Sequence, residues 1–171
     1  MGGTGDLDYV AGEGQVVQVA PEEREDPVEV SGDTVQGEPL DLTDLRGEVV
    51  VVNVWWSGCG PCIREMPMLV EAQQELAPDL VEFVGINIRD LSTDDAAAFE
   101  RQVGVDYPSL HDPGSETLLG FGSYQPHATP STLLLDRDGR VAALISGEIP
   151  SKGTLTELVE EIGAEGAEAG G

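Results

Sequence analysis

The stretch VVVVNVWWSGCGPCIREMP, Val49 to Pro67, decides how this chain folds. Five of its first six residues are valine, and a continuous β-branched run of this length predicts a strand buried on both faces of a parallel or mixed sheet. The two cysteines of the chain follow, separated by Gly60 and Pro61. Apolar residues then recur at helical spacing from Met66 to Leu76. The cysteines therefore lie where a buried strand ends and a helix begins.

This placement predicts different chemistry for the two cysteines. Pro61 fits the first turn of a helix, because the missing N–H has no intrahelical partner there. Cys59 lies at the helix N-terminus, where unpaired N–H groups and the helix dipole stabilise a thiolate, and such motifs lower the thiol pKa from about 8.5 to roughly 3.5–7.5. Cys62, one turn deeper, is less accessible. We expect Cys59 to attack a disulfide and Cys62 to resolve the mixed disulfide.

Other roles for the pair have weaker support. A purely structural disulfide across so short a loop would remove little entropy from the unfolded chain. A zinc site needs four ligands, and the only other soft donors, His111 and His127, are far along the chain at no zinc-finger spacing. A Cu(I) site of Cys59, Cys62 and His127 stays open as the non-enzymatic alternative, a thioredoxin-like copper carrier.

Composition narrows the class of protein. The chain has 171 residues, 40% of them hydrophobic, which is enough for one globular domain with a single core. With 33 acidic and 8 basic residues the net charge is -25, which argues against nucleic acid and anionic membrane surfaces as partners. There is no apolar run long enough to span a bilayer, and the first ten residues lack the basic and apolar regions of a signal peptide.

The remaining patterns complete an α/β sandwich. VEFVGINI (81–88) predicts a second buried strand, and STLLLDRDGRVAALIS (131–146) predicts two strands around an Asp-Gly turn. STDDAAAFERQVG (92–104) and TLTELVEEIG (154–163) are typical of helices. VEVSGDTVQGEPLDL (28–42) suggests a hairpin turning at Gly32-Asp33. We expect a flexible acidic arm over residues 1–25, a domain over 26–163 and a disordered acidic tail over 164–171.

The Val49–Pro67 stretch, VEFVGINI and TPSTLLLDRDGRV together resemble the TlpA/ResA group of extracytoplasmic thiol-disulfide oxidoreductases. The resemblance covers Asp26 to Gly163. It implies a thioredoxin fold, with a mixed sheet, helices on both faces and an N-terminal β-hairpin extension. It also implies that Pro130 is a cis-proline beside the cysteines and that the backbone around Thr129 binds an extended substrate peptide.

The resemblance assigns further residues and shows two departures. Glu65 matches a glutamate that tunes thiol protonation, although an exposed helical acid is an equal alternative, and Trp55 matches an aromatic that packs behind the site. Gly58 stands where most of the group has Trp, and Asn53 stands where thioredoxin has a buried proton-accepting Asp, so Glu65 or water must take that role. A peroxiredoxin is disfavoured because Cys59 lacks the Pro-x-x-x-Thr-x-x-Cys pattern. The resemblance also identifies Pro67 as a helix-kinking proline.

The resemblance implies a function as well. Gly-Pro between the cysteines is typical of reducing thioredoxins, with potentials of about -270 mV, rather than of strong oxidants near -120 mV. The expected substrates are oxidised cysteine pairs in secreted proteins, including the haem-attachment cysteines of apocytochrome c, with electrons from a membrane thiol protein. No cofactor beyond the disulfide is expected. We expect a monomer, secreted or tethered as a lipoprotein, whose signal segment is absent from this sequence.

Overall fold

The structure is a computed structural model and describes residues 7–9, 15–76, 78 and 80–170. Twelve helices and strands with regular α or β geometry build it: β1 Leu7–Tyr9, β2 Gln15–Gln18, β3 Ser31–Asp33, β4 Pro39–Asp41, β5 Val49–Trp55, α1 Gly60–Glu75, β6 Val81–Asn87, α2 Thr93–Val103, β7 Ser109–His111, β8 Ser131–Leu135, β9 Val141–Ser146 and α3 Lys152–Gly170. Short 3₁₀ helices occupy Pro21–Glu23, Leu42–Leu45 and Glu116–Tyr124.

Seven strands form one mixed sheet in the order β1-β2-β9-β8-β5-β6-β7. β5, β6 and β7 are parallel, whereas β8, β9, β2 and β1 pair with their neighbours in antiparallel fashion. β5 lies between β6 and β8, and all seven of its side chains are buried. The valine run predicted this two-sided burial, because only a strand covered on both faces can be apolar at every position. The predicted thioredoxin-like α/β fold is confirmed.

The two faces of the sheet carry separate apolar clusters. Side chains from all three α-helices, such as Leu69, Phe99 and Val159, pack on the face that Val49 and Val51 share. The opposite face is covered by the 3₁₀ helix Glu116–Tyr124 and by the segment before β5. In the described part of the chain, no helix is long and apolar enough to cross a membrane.

The N-terminal hairpin is present, but its turn is displaced from the predicted position. β3 includes Gly32 and Asp33, and β4 pairs with it after a turn over residues 34–37. Gly37 adopts φ of +89° in that turn, a conformation that glycine reaches at little cost. The sequence offers two glycines, and only the one at the position requiring positive φ marks the turn.

The chain ends differ from the expected arm and tail. β2 pairs with β9, and Val16 and Val19 are buried, so this part of the predicted flexible arm belongs to the main sheet. Residues 1–6 and 10–14 of the predicted arm lie outside the described residues, as does residue 171. α3 continues to Gly170 through the predicted tail, which is rich in the helix formers Ala and Glu. The domain boundaries themselves stay a prediction.

Candidate active site

The cysteine pair lies between the end of β5 and the start of α1. Cys59 is the N-cap residue of α1, and its Sγ accepts a hydrogen bond from the Cys62 N–H at 3.2 Å. Pro61 lies in the first turn of the helix, as its missing N–H allows. Gly60, the first helical residue, is exposed and leaves the approach to Cys59 open. This geometry stabilises negative charge on the Cys59 sulfur.

Cys59 and Cys62 form a disulfide, with their Cα atoms 5.2 Å apart. Cys59 is 5% exposed and Cys62 is 1% exposed. Cys59 is therefore the more accessible of the two, as expected, but the difference is small in the oxidised state. The redox group is the cysteine pair itself. Among the described residues, no three His, Cys, Asp or Glu side chains are grouped to hold a metal ion.

Glu65 is buried beneath the pair, one helical turn after Cys62. Its side chain accepts hydrogen bonds from the Asn53 amide at 3.0 Å and from the Ile149 N–H at 2.7 Å. Burial raises the pKa of Glu65 to about 7, the two hydrogen bonds oppose this shift, and the nearby Glu148 carboxylate adds to it. The alternative of an exposed helical acid is excluded. At neutral pH this carboxyl can give or take a proton.

Asn53 donates a hydrogen bond to Glu65 and does not itself act as the proton acceptor of the site. Its amide donates to Glu65 and also to Thr132 Oγ1 at 3.2 Å across the β5–β8 pair. An amide cannot accept the proton that a buried aspartate would. The titratable group of this site therefore lies on α1, at Glu65, and not on β5.

The Thr129–Pro130 peptide bond is cis, as the resemblance implies. Pro130 immediately precedes Ser131, which pairs with Val54 near the end of β5. Pro130 is buried and Thr129 is partly exposed. The strand register thus brings the cis-proline loop to the same edge of the sheet as the cysteines.

The two tryptophans before the cysteines lie in different environments. Trp55 is 1% exposed, donates from Nε1 to Ser109 Oγ at 3.0 Å and meets Phe99 edge to face, so it is a core residue behind the site. Trp56 is half-buried, and its ring lies where a side chain at Gly58 would extend. The Trp56 ring therefore occupies the space beside Gly58 where most of the related proteins have the side chain of a Trp at that position.

Asp90 is a site residue that the sequence did not reveal. Its carboxylate accepts from both the N–H and the hydroxyl of Ser57, at 2.9 and 2.7 Å, and from the Asn87 amide at 2.9 Å. Because Ser57 is two residues before Cys59, Asp90 fixes the loop that presents the cysteine. An available signal was that Asp90 follows a buried strand, β6, adjacent to the cysteine-bearing one.

A groove of about 520 Å³ borders the pair on the α2 side. Its walls include Ile63 and Pro67 of α1 and Phe99 of α2. Pro67 lies inside α1, which continues through it, and Ile63 is 46% exposed. Exposed apolar side chains of α1 that follow the pair thus line part of this groove, and what the whole arrangement can perform is thiol–disulfide exchange.

This architecture is that of the thioredoxin-like thiol-disulfide oxidoreductases. It combines a thioredoxin fold with a disulfide at this helix terminus, a buried carboxyl beneath the disulfide and a cis-proline at the same edge of the sheet. The family model that describes Redoxin matches residues 18–162. This chain belongs to the Redoxin family.

Individual relatives agree with this assignment. ResA, the thiol-disulfide oxidoreductase of Bacillus anthracis, is 32% identical over 115 residues, which cover 67% of this chain and 64% of that protein. The ResA protein of Bacillus cereus strain ATCC 10987 is 30% identical over a match that covers 75% of this chain and 71% of that protein. A DsbF homologue from Corynebacterium diphtheriae has a TM-score of 0.80 at 29% identity, covering 90% of this chain and 97% of its own. A secreted thiol-disulfide isomerase from Corynebacterium glutamicum has a TM-score of 0.77 at 30% identity, and the match covers 90% of this chain and 96% of that one.

Proposed function

We propose that this protein is a thiol-disulfide oxidoreductase that reduces disulfides in extracytoplasmic proteins through the Cys59–Cys62 pair. The observation that carries the proposal is the position of Cys59 as N-cap of α1, with the Cys62 N–H on its sulfur. The thiol-disulfide oxidoreductases among its relatives support this activity. The C. glutamicum relative, described as secreted, supports a location outside the cytoplasm.

The reaction follows from the two cysteine positions. In the dithiol form, the Cys59 thiolate attacks one sulfur of the substrate disulfide and expels the other as a thiolate. Cys62 then loses its proton and attacks Cys59, which forms the Cys59–Cys62 disulfide and releases the second substrate thiol. Glu65 lies one turn from Cys62 and is suited to accept that proton near pH 7.

The substrate peptide would bind along the cis-proline loop. Thr129 is partly exposed next to Pro130, so its backbone is available for a strand-like pairing with an extended peptide. We propose protein substrates with cysteine pairs, including haem-attachment cysteines of apocytochrome c. A membrane thiol protein would return electrons to the pair, and the protein would act as a monomer.

Trapping of the mixed disulfide tests the mechanism. Reduced Cys62→Ser should form a stable covalent complex with a disulfide-bonded peptide, because Cys59 attacks and nothing resolves the product. Cys59→Ser should form little, since Cys62 is deeper and lacks the N-cap position. Non-reducing gel electrophoresis and mass spectrometry measure both. Equal trapping by the two variants would contradict the division of roles, and trapping by neither would overturn the proposed function.

Equilibration of the wild-type pair in glutathione buffers tests the direction of electron flow. A reductant should have a potential near that of thioredoxin, about -270 mV, whereas an oxidant would lie closer to -120 mV. Quantification of alkylated thiols by mass spectrometry gives the potential. A value near the oxidising end would show that the protein introduces disulfides instead of removing them.

A further inference from the structure

A second groove begins at the cis-proline loop, near the end of β5 that leads to the cysteine pair. It encloses about 170 Å³ and is lined by Thr129 and His127 of that loop, by Arg89 after β6 and by Val54 of β5. Because Thr129 precedes the cis-proline, a peptide bound along the loop would pass the mouth of this groove. The chemistry of the groove can therefore select the residues that flank a substrate cysteine.

The charge of this groove is opposite to that of the molecule. The chain has 33 acidic and 8 basic residues, yet the described residues that line this groove include Arg89 and His127 and no acid. By contrast, the groove on the α2 side contains Asp95, and a third groove is bordered by Glu25 and Asp26.

The Arg89 guanidinium is held in place and available for a ligand. Its central carbon lies 5.7 Å from the centroid of the Trp56 ring, a cation–π contact that restrains the side chain. Nothing in the described part of the chain accepts a hydrogen bond from it. The adjacent Asp90 carboxylate points to Ser57 and Asn87 instead. The N–H groups of Arg89 can thus bind a carboxylate.

The backbone at Arg89 indicates that its side chain is needed. Arg89 has φ of +65°, the left-handed region in which a side chain is disfavoured and glycine is not. A glycine here would allow the same turn with less strain. Backbone strain that persists near a reactive group points to a function for the side chain of the strained residue.

We propose that Arg89, with His127, binds an acidic side chain close in sequence to the substrate cysteine. This inference rests on the proposed disulfide exchange and adds a preference for acidic peptides in one position. Because the net charge of the molecule is strongly negative, a substrate acid is favoured at this basic groove, and its binding there fixes the register in which the peptide lies.

Peptides that differ by one residue test the preference. Each carries one cysteine joined by a disulfide to 2-mercaptoethanol, with Glu or Gln at one of the three positions on either side. Reduction by the dithiol protein yields the protein disulfide, the peptide thiol and mercaptoethanol, and chromatography of the peptide thiol gives the rate. At one or more positions Glu should react faster than Gln by roughly two- to fivefold at low salt, and the ratio should fall as salt rises.

Variants of the protein identify the group responsible. Arg89→Gly and Arg89→Gln should bring the Glu-to-Gln rate ratio close to one, and Arg89→Gly suits the positive φ, so lost selectivity cannot be ascribed to misfolding. Arg101→Gln, which removes the same charge from an exposed position that lines neither groove, should keep the ratio. Equal rates for Glu and Gln in the wild type would overturn this inference and leave the proposed function intact. Reduction of no peptide at all would overturn both.

Discussion

At the scale of single residues, the fold changes the chemistry of Glu65, the buried carboxyl beside the cysteine pair. A carboxylate that loses water is destabilised, and among the described residues two hydrogen-bond donors compensate for this loss, the Asn53 amide and the Ile149 N–H. Asn53 matters because an aspartate at that position would place a second carboxyl about 3 Å from the first, and two such groups cannot both ionise without a large cost. One titratable carboxyl remains under the cysteines.

The raised pKa of Glu65 makes stability depend on pH. Because the pKa is about 7 in the folded state against an ordinary 4.5, the folded state binds more protons between these values, and stability falls as pH rises from about 4.5 to 7. Glu65→Gln should remove this part of the decline, on the order of a few kcal/mol at most. Urea unfolding of the oxidised protein at pH 5, 6, 7 and 8 measures it.

A matched control separates Glu65 from the many other acids. Glu161→Gln changes an exposed carboxyl on α3 and should leave the pH dependence as in the wild type. In the reduced protein, Glu65→Gln should also shift the pH dependence of cysteine alkylation. If stability and alkylation follow the same pH profiles with and without Glu65, the carboxyl does not couple to the cysteine pair.

At the scale of elements, the site is made by the connection between β5 and α1. β5 is anchored on both sides by β6 and β8, so the loop after Trp55 starts from a rigid point. Asp90, at the end of β6, holds Ser57 in the middle of that loop. Cys59 then caps α1 with its own sulfur. A neighbouring strand thus fixes the backbone from which the helix begins.

At the scale of the whole molecule, Arg24 joins three distant parts of the chain. Its side chain is 4% exposed and forms salt bridges at 2.8 Å with Asp136, after β8, and with Glu165 on α3, while its Nε donates to the Val19 carbonyl. A guanidinium this deep is stable only while its partners are present. Residues 19–24 are therefore tied to the main sheet and to α3.

Removal of the Arg24 side chain should destabilise the protein. Arg24→Ala leaves Asp136 without its cation in a mostly buried position, and we expect a loss on the order of 3 kcal/mol in the free energy of unfolding. Arg101→Ala, at an exposed helical position, should change it by less than about 0.5 kcal/mol. Urea unfolding measures both. Equal stability of the two variants would mean that the contacts of Arg24 with Asp136 and Glu165 do not contribute to the stability of the fold.

Elements with local signals could be predicted from the order of residues alone. The strand β5 follows from a continuous β-branched run, and the helix after Cys59 and the stripe of Leu155 and Val159 follow from apolar residues that repeat at period 3.6 and from where proline can begin a helix. The order of the cysteines along the helix, with Cys59 outermost, follows from the same rules.

Contacts between residues far apart in sequence could not be predicted in this way, because they depend on how the elements pack. Whether Glu65 is exposed or buried depends on Asn53 and Ile149, which lie 12 and 84 residues away. The pairing of β2 with β9 needs a strand that comes more than 120 residues later. From local sequence alone, the short segment that forms β2 is therefore predicted to be a flexible arm. Burial and pKa follow from such neighbours, and no local pattern encodes them.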